Sequence, residues 1–138
     1  MPRWTGIVVH HSESKDTTRL DTRRIRSLHV DRKGWDDVGY HFLVEKVGTS
    51  YEVIAGRPLD MSGAHARGSN TTHIGVCLVG NFNSCDPPQA QLEVAARHIR
   101  GLMKALKIPK SAIRLHREVN ETDCPGTRFS KGMLLDLL

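Results

Sequence analysis

The chain has 138 residues, a formal charge of +5, 5% aromatic residues and three cysteines. One domain spanning 1–138 is expected at this length, burying roughly 68–70% of the unfolded surface, so no disulfide framework is needed for stability. An odd cysteine count argues against a secreted disulfide scaffold, and basic residues scattered without interleaved aromatics argue against nucleic-acid binding.

The amino terminus "MPRWTGIVVHHSES" has an apolar part, Ile7–Val9, too short for a signal-peptide core. No apolar run reaches membrane-spanning length, so synthesis in the cytoplasm without membrane insertion is expected. "TGIVVHH" (5–11) reads as a buried strand, β-branched and continuous. Asp21 is placed to cap a helix over 22–33, with Ile25, Leu28 and His29 on one face and Gly34 past its end. "YHFLVEK" and "SYEVIAG" flank Val47-Gly48-Thr49, a hairpin signal, and "HIGVCLVG" (73–80) reads as another apolar strand. Asp86 before Pro87-Pro88 marks the start of the clearest helix. Its stripe of Leu92, Ala95, Ala96, Ile99, Leu102, Met103 and Leu106 follows the i, i+3, i+4 rule. "AIRLH" (112–116) is a short strand, and a short helix follows Ser130. The order β-α-β-β-β-α-β-α predicts an α/β fold, a mixed sheet covered by helices.

His116 closes the last expected strand, and Cys124 lies eight residues on among Asp123, Pro125 and Gly126. Imidazole and thiolate are the ligands zinc prefers. "VVHHS" places His10 and His11 at the end of a different strand, and carboxyl ends of strands converge on a crevice. Neighbouring strand residues point to opposite faces, so one of the pair coordinates and the other does not. The continuous apolar run hides which. Two histidines and a cysteine leave a fourth position for water, the signature of a catalytic rather than structural zinc. Cys77, inside a strand, reads as a small core residue. Cys85 lies in a polar loop with no histidine close in sequence.

The segments "IVVHHS", "GWDDVGYHFLV", "GAHARGSNTTHIGVCLVGNF" and "HREVNETDCPG" are spread over residues 7–126. In that order they resemble the zinc-dependent N-acetylmuramoyl-L-alanine amidases of the second amidase family, which includes small phage lysozymes and peptidoglycan recognition proteins. The resemblance implies a mostly parallel central sheet flanked by helices. It aligns His10, not His11, with the first ligand of one zinc ion, and His116 and Cys124 with the other two. Tyr40 corresponds to the family's catalytic tyrosine. Thr122 falls where small phage lysozymes carry a catalytic lysine and recognition proteins usually carry threonine. A threonine hydroxyl offers only a neutral hydrogen bond, roughly half as strong as a charge-assisted one. His65, Arg67, Asn70 and Asn81 lie in segments that line the substrate groove in relatives. His41, His73 and His29 read as structural polar residues, and Trp35 as packing beneath the "GYHF" strand.

The implied activity is hydrolysis of the amide joining N-acetylmuramic acid to L-alanine of the stem peptide, with bacterial peptidoglycan as partner. A basic protein facing an acidic polymer suits that substrate. A recognition module that binds without cleaving would typically lack the cysteine, whereas Cys124 and Tyr40 are both present. A small monomeric phage endolysin is the expectation, held in the host cytoplasm until a holin releases it to the wall.

Overall fold

Six residues with an Ile-Val-Val run and no polar group until their end, Gly6–His11, form β1, which is buried throughout. β1 lies in a five-stranded sheet with β2 (Phe42–Val47), β3 (Ser50–Ala55), β4 (His73–Leu78) and β5 (Ile113–Leu115), in the order β3-β2-β4-β1-β5. β1 is parallel to β4 and β5, and β2 is parallel to β4. Only β2 and β3 pair antiparallel, across a turn in which Gly48 takes φ 64°. The sheet is therefore mixed and mostly parallel, as expected. This computed structural model describes residues 3–14 and 39–138. The expected helix over 22–33 with its Asp21 cap, His29 and Trp35 lie outside the described residues.

Helix α1 (Gln89–Leu106) buries Leu92, Ala95, Ala96, Ile99 and Leu102. They pack on Ile7, Val9, Val44, Ile74, Val76 and Leu78 of the sheet, and Met103 and Leu106 are partly buried at the edge of this core. Asp86 does not cap the helix. Pro88 is the N-cap residue, without a side-chain cap, and Asp86 instead accepts a 2.9 Å bond from Arg128. Two prolines stand between Asp86 and the first helical residue, too far for its carboxylate to reach the orphan N–H groups. Gln91 is the polar exception in the buried face. Its Nε2 donates to the carbonyls of Val44 (2.9 Å) and Val79 (3.0 Å), tying the helix to β2 and the end of β4.

Strand alternation sends Ile7 and Val9 toward α1, so Val8 and His10 face the other side. There His10 is in register with Cys77, and Cys77 with Leu43. Leu43, Cys77 and Val79 form a second small cluster with Tyr40 against it. The expected strand 112–116 is shorter at its end: β5 stops at Leu115, and His116 opens the short helix α2 (His116–Val119). The side chain of Glu118 turns back to accept the Leu115 N–H at 2.8 Å, which ends strand pairing there. Helix α3 (Lys131–Leu135) starts at Ser130, whose hydroxyl accepts from Met133 N–H.

The loop between α2 and α3 is fixed from inside. Arg117 donates to the carbonyls of Gly126 (2.9 Å) and Phe129 (2.6 Å), and its backbone N–H donates to Cys124 O at 2.9 Å. Gly126 has φ 112°, and a Cβ there would stand 2.4 Å from the Phe82 carbonyl carbon. Neither the conformation nor the backbone contact admits a side chain. Gly126→Ala is therefore expected to destabilise by about 1–3 kcal/mol, read by denaturant unfolding, and to disturb Cys124 two residues away. Wild-type stability in that variant would contradict this loop geometry.

Candidate metal centre

Three elements deliver the central groups. β1 carries His10 one residue before its end, the end of β5 hands over to His116, and the loop anchored by Arg117 carries Cys124. The rings of His10 and His116 are 4.5 Å apart, and Cys124 Sγ lies 3.7 Å from His10 Nδ1. One donor atom from each of the three lies within 4.8 Å of the others, and among the described residues this is the His/Cys/Asp/Glu cluster able to hold a metal. His116 Nδ1 is buried with no hydrogen-bond partner. A buried lone pair without a donor is costly unless something electrophilic meets it.

Electrostatics favour the same occupant. Burial first, then His65, His116 and His11, holds His10 well below the ordinary histidine range. Burial also lowers His116, against the opposing effect of its bond to Asn120. Both rings are thus neutral and offer lone pairs. Burial pushes the Cys124 thiol up to about 12, although the His11 N–H at 3.4 Å works in the other direction. A thiolate in this position needs a cation beside it. Two neutral nitrogens and one sulfur fit zinc, with room for a fourth ligand.

A cavity of about 230 Å³ opens over the cluster, with Tyr40, Thr122, Ser12 and Glu13 in its wall. The Tyr40 ring lies 5.0 Å from that of His10, and its hydroxyl donates to the Cys77 side chain. Burial, then Cys77 and Cys124, raises Tyr40 well above the usual phenol range, so it keeps its proton and acts as a donor. Thr122 Oγ1 accepts the Cys124 N–H at 3.2 Å, which leaves its own hydrogen to donate. His11 also borders the cavity, yet its Nδ1 accepts the Phe82 N–H at 3.1 Å and its ring packs on Phe82. Its contribution to the cluster is the backbone N–H to Cys124.

The four residues expected along a groove separate. His65 is buried, its ring 2.9 Å from His10 Nε2 on one side and 2.9 Å from the His73 carbonyl on the other. Asn70 accepts the N–H groups of His65 (2.8 Å) and Ala66 (2.9 Å) on its Oδ1. Arg67 has an exposed side chain, and its carbonyl accepts from Asn120. Asn81 borders a different cavity of about 400 Å³ and caps its own turn through Asn83 N–H. His41 is structural: it accepts from Gly75 N–H at 3.1 Å and donates to Met61 O at 3.0 Å. His73 bonds the Thr72 hydroxyl at 2.8 Å.

Sequence reasoning missed Asn120, Cys77 and Glu13. Asn120 stands four residues after His116, the spacing of one helical turn, and that signal was available. Cys77 is the register partner of His10, which sequence cannot reveal without knowing how β1 and β4 align. Glu13 has φ 59°, and nothing in its neighbours announces that conformation.

A mostly parallel sheet that brings two imidazoles and a thiol to one open cleft suits a hydrolase with a site able to hold a metal. The N-acetylmuramoyl-L-alanine amidase family model matches residues 1–127, and the chain belongs to that family. It is 39% identical over 123 residues to an endolysin of Klebsiella phage KP32, covering 87% of this chain and 79% of the relative. It is 33% identical to peptidoglycan-recognition protein SC2 of Drosophila simulans, covering 88% and 68%. Among solved structures it resembles the N-acetylmuramoyl-L-alanine amidase LysC from Clostridium intestinale URNW. That match has TM-score 0.83 and 31% identity, covering 96% of this chain and 83% of that one.

Two expectations follow from the electrostatics. With both imidazoles neutral and the thiol protonated, zinc uptake near pH 6.5 should release about one proton, from Cys124. Calorimetry in buffers of differing ionisation heat measures it, and release of none would mean a preformed thiolate. The second concerns acid. Burial lowers His65 to about 3, and His10 and His41 shift the same way. Below about pH 6.5 the unfolded chain takes up protons that the folded one refuses, so stability falls as pH drops. The loss should grow until pH approaches the folded value near 3 for His65. A metal-free protein equally stable at pH 7 and pH 5 would contradict neutral burial of these rings.

Proposed function

We propose that this chain is a phage endolysin of the zinc amidase type. It hydrolyses the amide between the lactyl carbonyl of N-acetylmuramic acid and the amino group of L-alanine in the peptidoglycan stem. The observation that carries this reading is the convergence of His10, His116 and Cys124 in a chain of this family. In the reading these three hold one zinc ion, and the protein is made in the host cytoplasm and reaches the wall when a holin opens the membrane. No described helix is long and apolar enough to cross a membrane.

Bound there, zinc supplies Lewis acidity and a lowered water pKa, with about one net positive charge left after the thiolate is counted. The protein's own groups do the rest. His10 and His116, as neutral rings, each present one lone pair toward the ion. Tyr40 keeps its phenolic hydrogen, which Cys77 holds in the free protein, and turns it to the lactyl carbonyl oxygen where negative charge develops. Thr122 adds a neutral donor on the loop side, where a lysine would have added charge. Water adds to the carbonyl carbon, the C–N bond breaks, and the proton from water leaves on the alanine amine. Arg67, exposed beside the loop, is available to carboxylates of the stem peptide.

Mass spectrometry of digested peptidoglycan tests the bond. Intact disaccharides and stems with a free L-alanine amino terminus are expected. Cleavage between sugars or within the stem would remove the reading. Tyr40→Phe should fold, keep its zinc and lose about 100- to 1000-fold in turnover, as deletion of one oxyanion donor does. Muropeptide affinity should change far less, because the donor matters chiefly in the transition state. Near-normal cleavage by that variant would take Tyr40 out of the mechanism.

A further inference from the structure

We propose that His65 and Asn120 are positioning residues of the metal centre. They set the tautomer and aim of the two ligand imidazoles and tie both to the loop 63–72 and its junction with β4. The proposal rests on the zinc reading above and gives His65 a role other than substrate contact.

Donor and acceptor roles fix the ring protons. A carbonyl oxygen only accepts. Asn120 Nδ2 donates to the Arg67 carbonyl at 3.0 Å, so its Oδ1 is the atom 2.9 Å from His116 Nε2. That oxygen requires an N–H, which puts the His116 proton on Nε2 and the lone pair on Nδ1. Nδ1 is the buried atom that no protein group meets. The same logic runs through His65. Its Nε2 faces the His73 carbonyl at 2.9 Å and must carry the hydrogen. In a neutral ring Nδ1 then accepts, and the group 2.9 Å away is His10 Nε2, which must donate. The His10 lone pair is left on Nδ1, the nitrogen 3.7 Å from Cys124 Sγ. Reversing either proton order sets a lone pair against a carbonyl lone pair. Two independent relays therefore leave both ligand nitrogens bare on the side of the thiol.

Both relays end on backbone carbonyls, Arg67 in this loop and His73 where the loop enters β4. That loop is itself held: Asn70 Oδ1 takes two backbone N–H groups, Gly63 N–H bonds Asn70 O at 2.9 Å, and His73 N–H bonds Ser69 O at 2.8 Å. Space for the His65 ring exists because Gly63 and Gly75 lack side chains. A Cβ on them would stand 2.3 Å and 2.6 Å from the ring. With both nitrogens engaged and the ring confined, His65 has no polar atom left for a ligand in the cleft. Outer partners of ligand histidines typically change metal affinity by about 10–100-fold when removed.

The experiment compares wild type with His65→Leu, His65→Gln and Asn120→Ala. Zinc dissociation constants come from chelator competition, and ring tautomers from nitrogen-15 spectra of the metal-free protein. Wild type should show His10 and His116 protonated at Nε2 only. His65→Leu should weaken zinc about 10–100-fold and mix the tautomers of His10 alone; Asn120→Ala should do the same for His116 alone. Glutamine can accept with Oε1 and donate with Nε2, so His65→Gln should recover most of the loss. Unchanged affinity in both His65→Leu and Asn120→Ala would overturn the proposal while leaving the zinc reading intact. So would Nδ1 protonation of His10 in wild type, a measurement that needs no variant to fold. Wild type that binds no zinc would instead sink the zinc reading, and this proposal with it.

Discussion

Everything at this site depends on a half-buried thiol beside two neutral imidazoles. Cys124 on its own cannot ionise at neutral pH, because burial pushes it up to about 12. His10 and His116 cannot take up protons to offset a thiolate, because burial lowers them as well. One divalent cation resolves both problems at once, neutralising the sulfur and meeting the lone pairs. The parallel pairing of β1 with β5 makes the arrangement possible, since both strands then end at the same edge of the sheet. His10 is the penultimate residue of one and His116 follows the other.

Around that centre the protein spends polar groups unusually deep in the structure. His10, His41, His65 and Gln91 are all buried, yet each is held by named partners. Partnered polar groups of this kind specify a single arrangement, because any shift leaves a donor or acceptor stranded. The apolar work is done on the opposite face, where α1 covers the sheet. The fold thus divides its labour by strand alternation: odd positions of β1 build the core, and His10, an even one, builds the chemistry.

Much of this was legible from residues alone. Continuous β-branched runs marked β1 and β4, the 3.6-residue stripe marked α1, and the His-to-Cys spacing with its polar loop marked the metal candidates. Other parts were not. β1 is buried on both faces, so it lacks the polar alternation that would separate His10 from His11; resemblance had to decide. Asp86 before two prolines marked where α1 starts, yet not that the prolines would hold its carboxylate away from the helix and leave it to Arg128. His65 reads in sequence as one more loop histidine. Its burial depends on two glycines: Gly63, two residues before it, and Gly75, ten residues after it on β4. No local pattern carries that kind of information.

The central claim is that both imidazoles and the thiol close on a single ion, and X-ray absorption at the zinc edge tests it most directly. The account expects two nitrogens at about 2.0–2.1 Å, one sulfur at about 2.3 Å and one further light ligand from solvent. A zinc shell without sulfur, or one with two sulfurs, would contradict it.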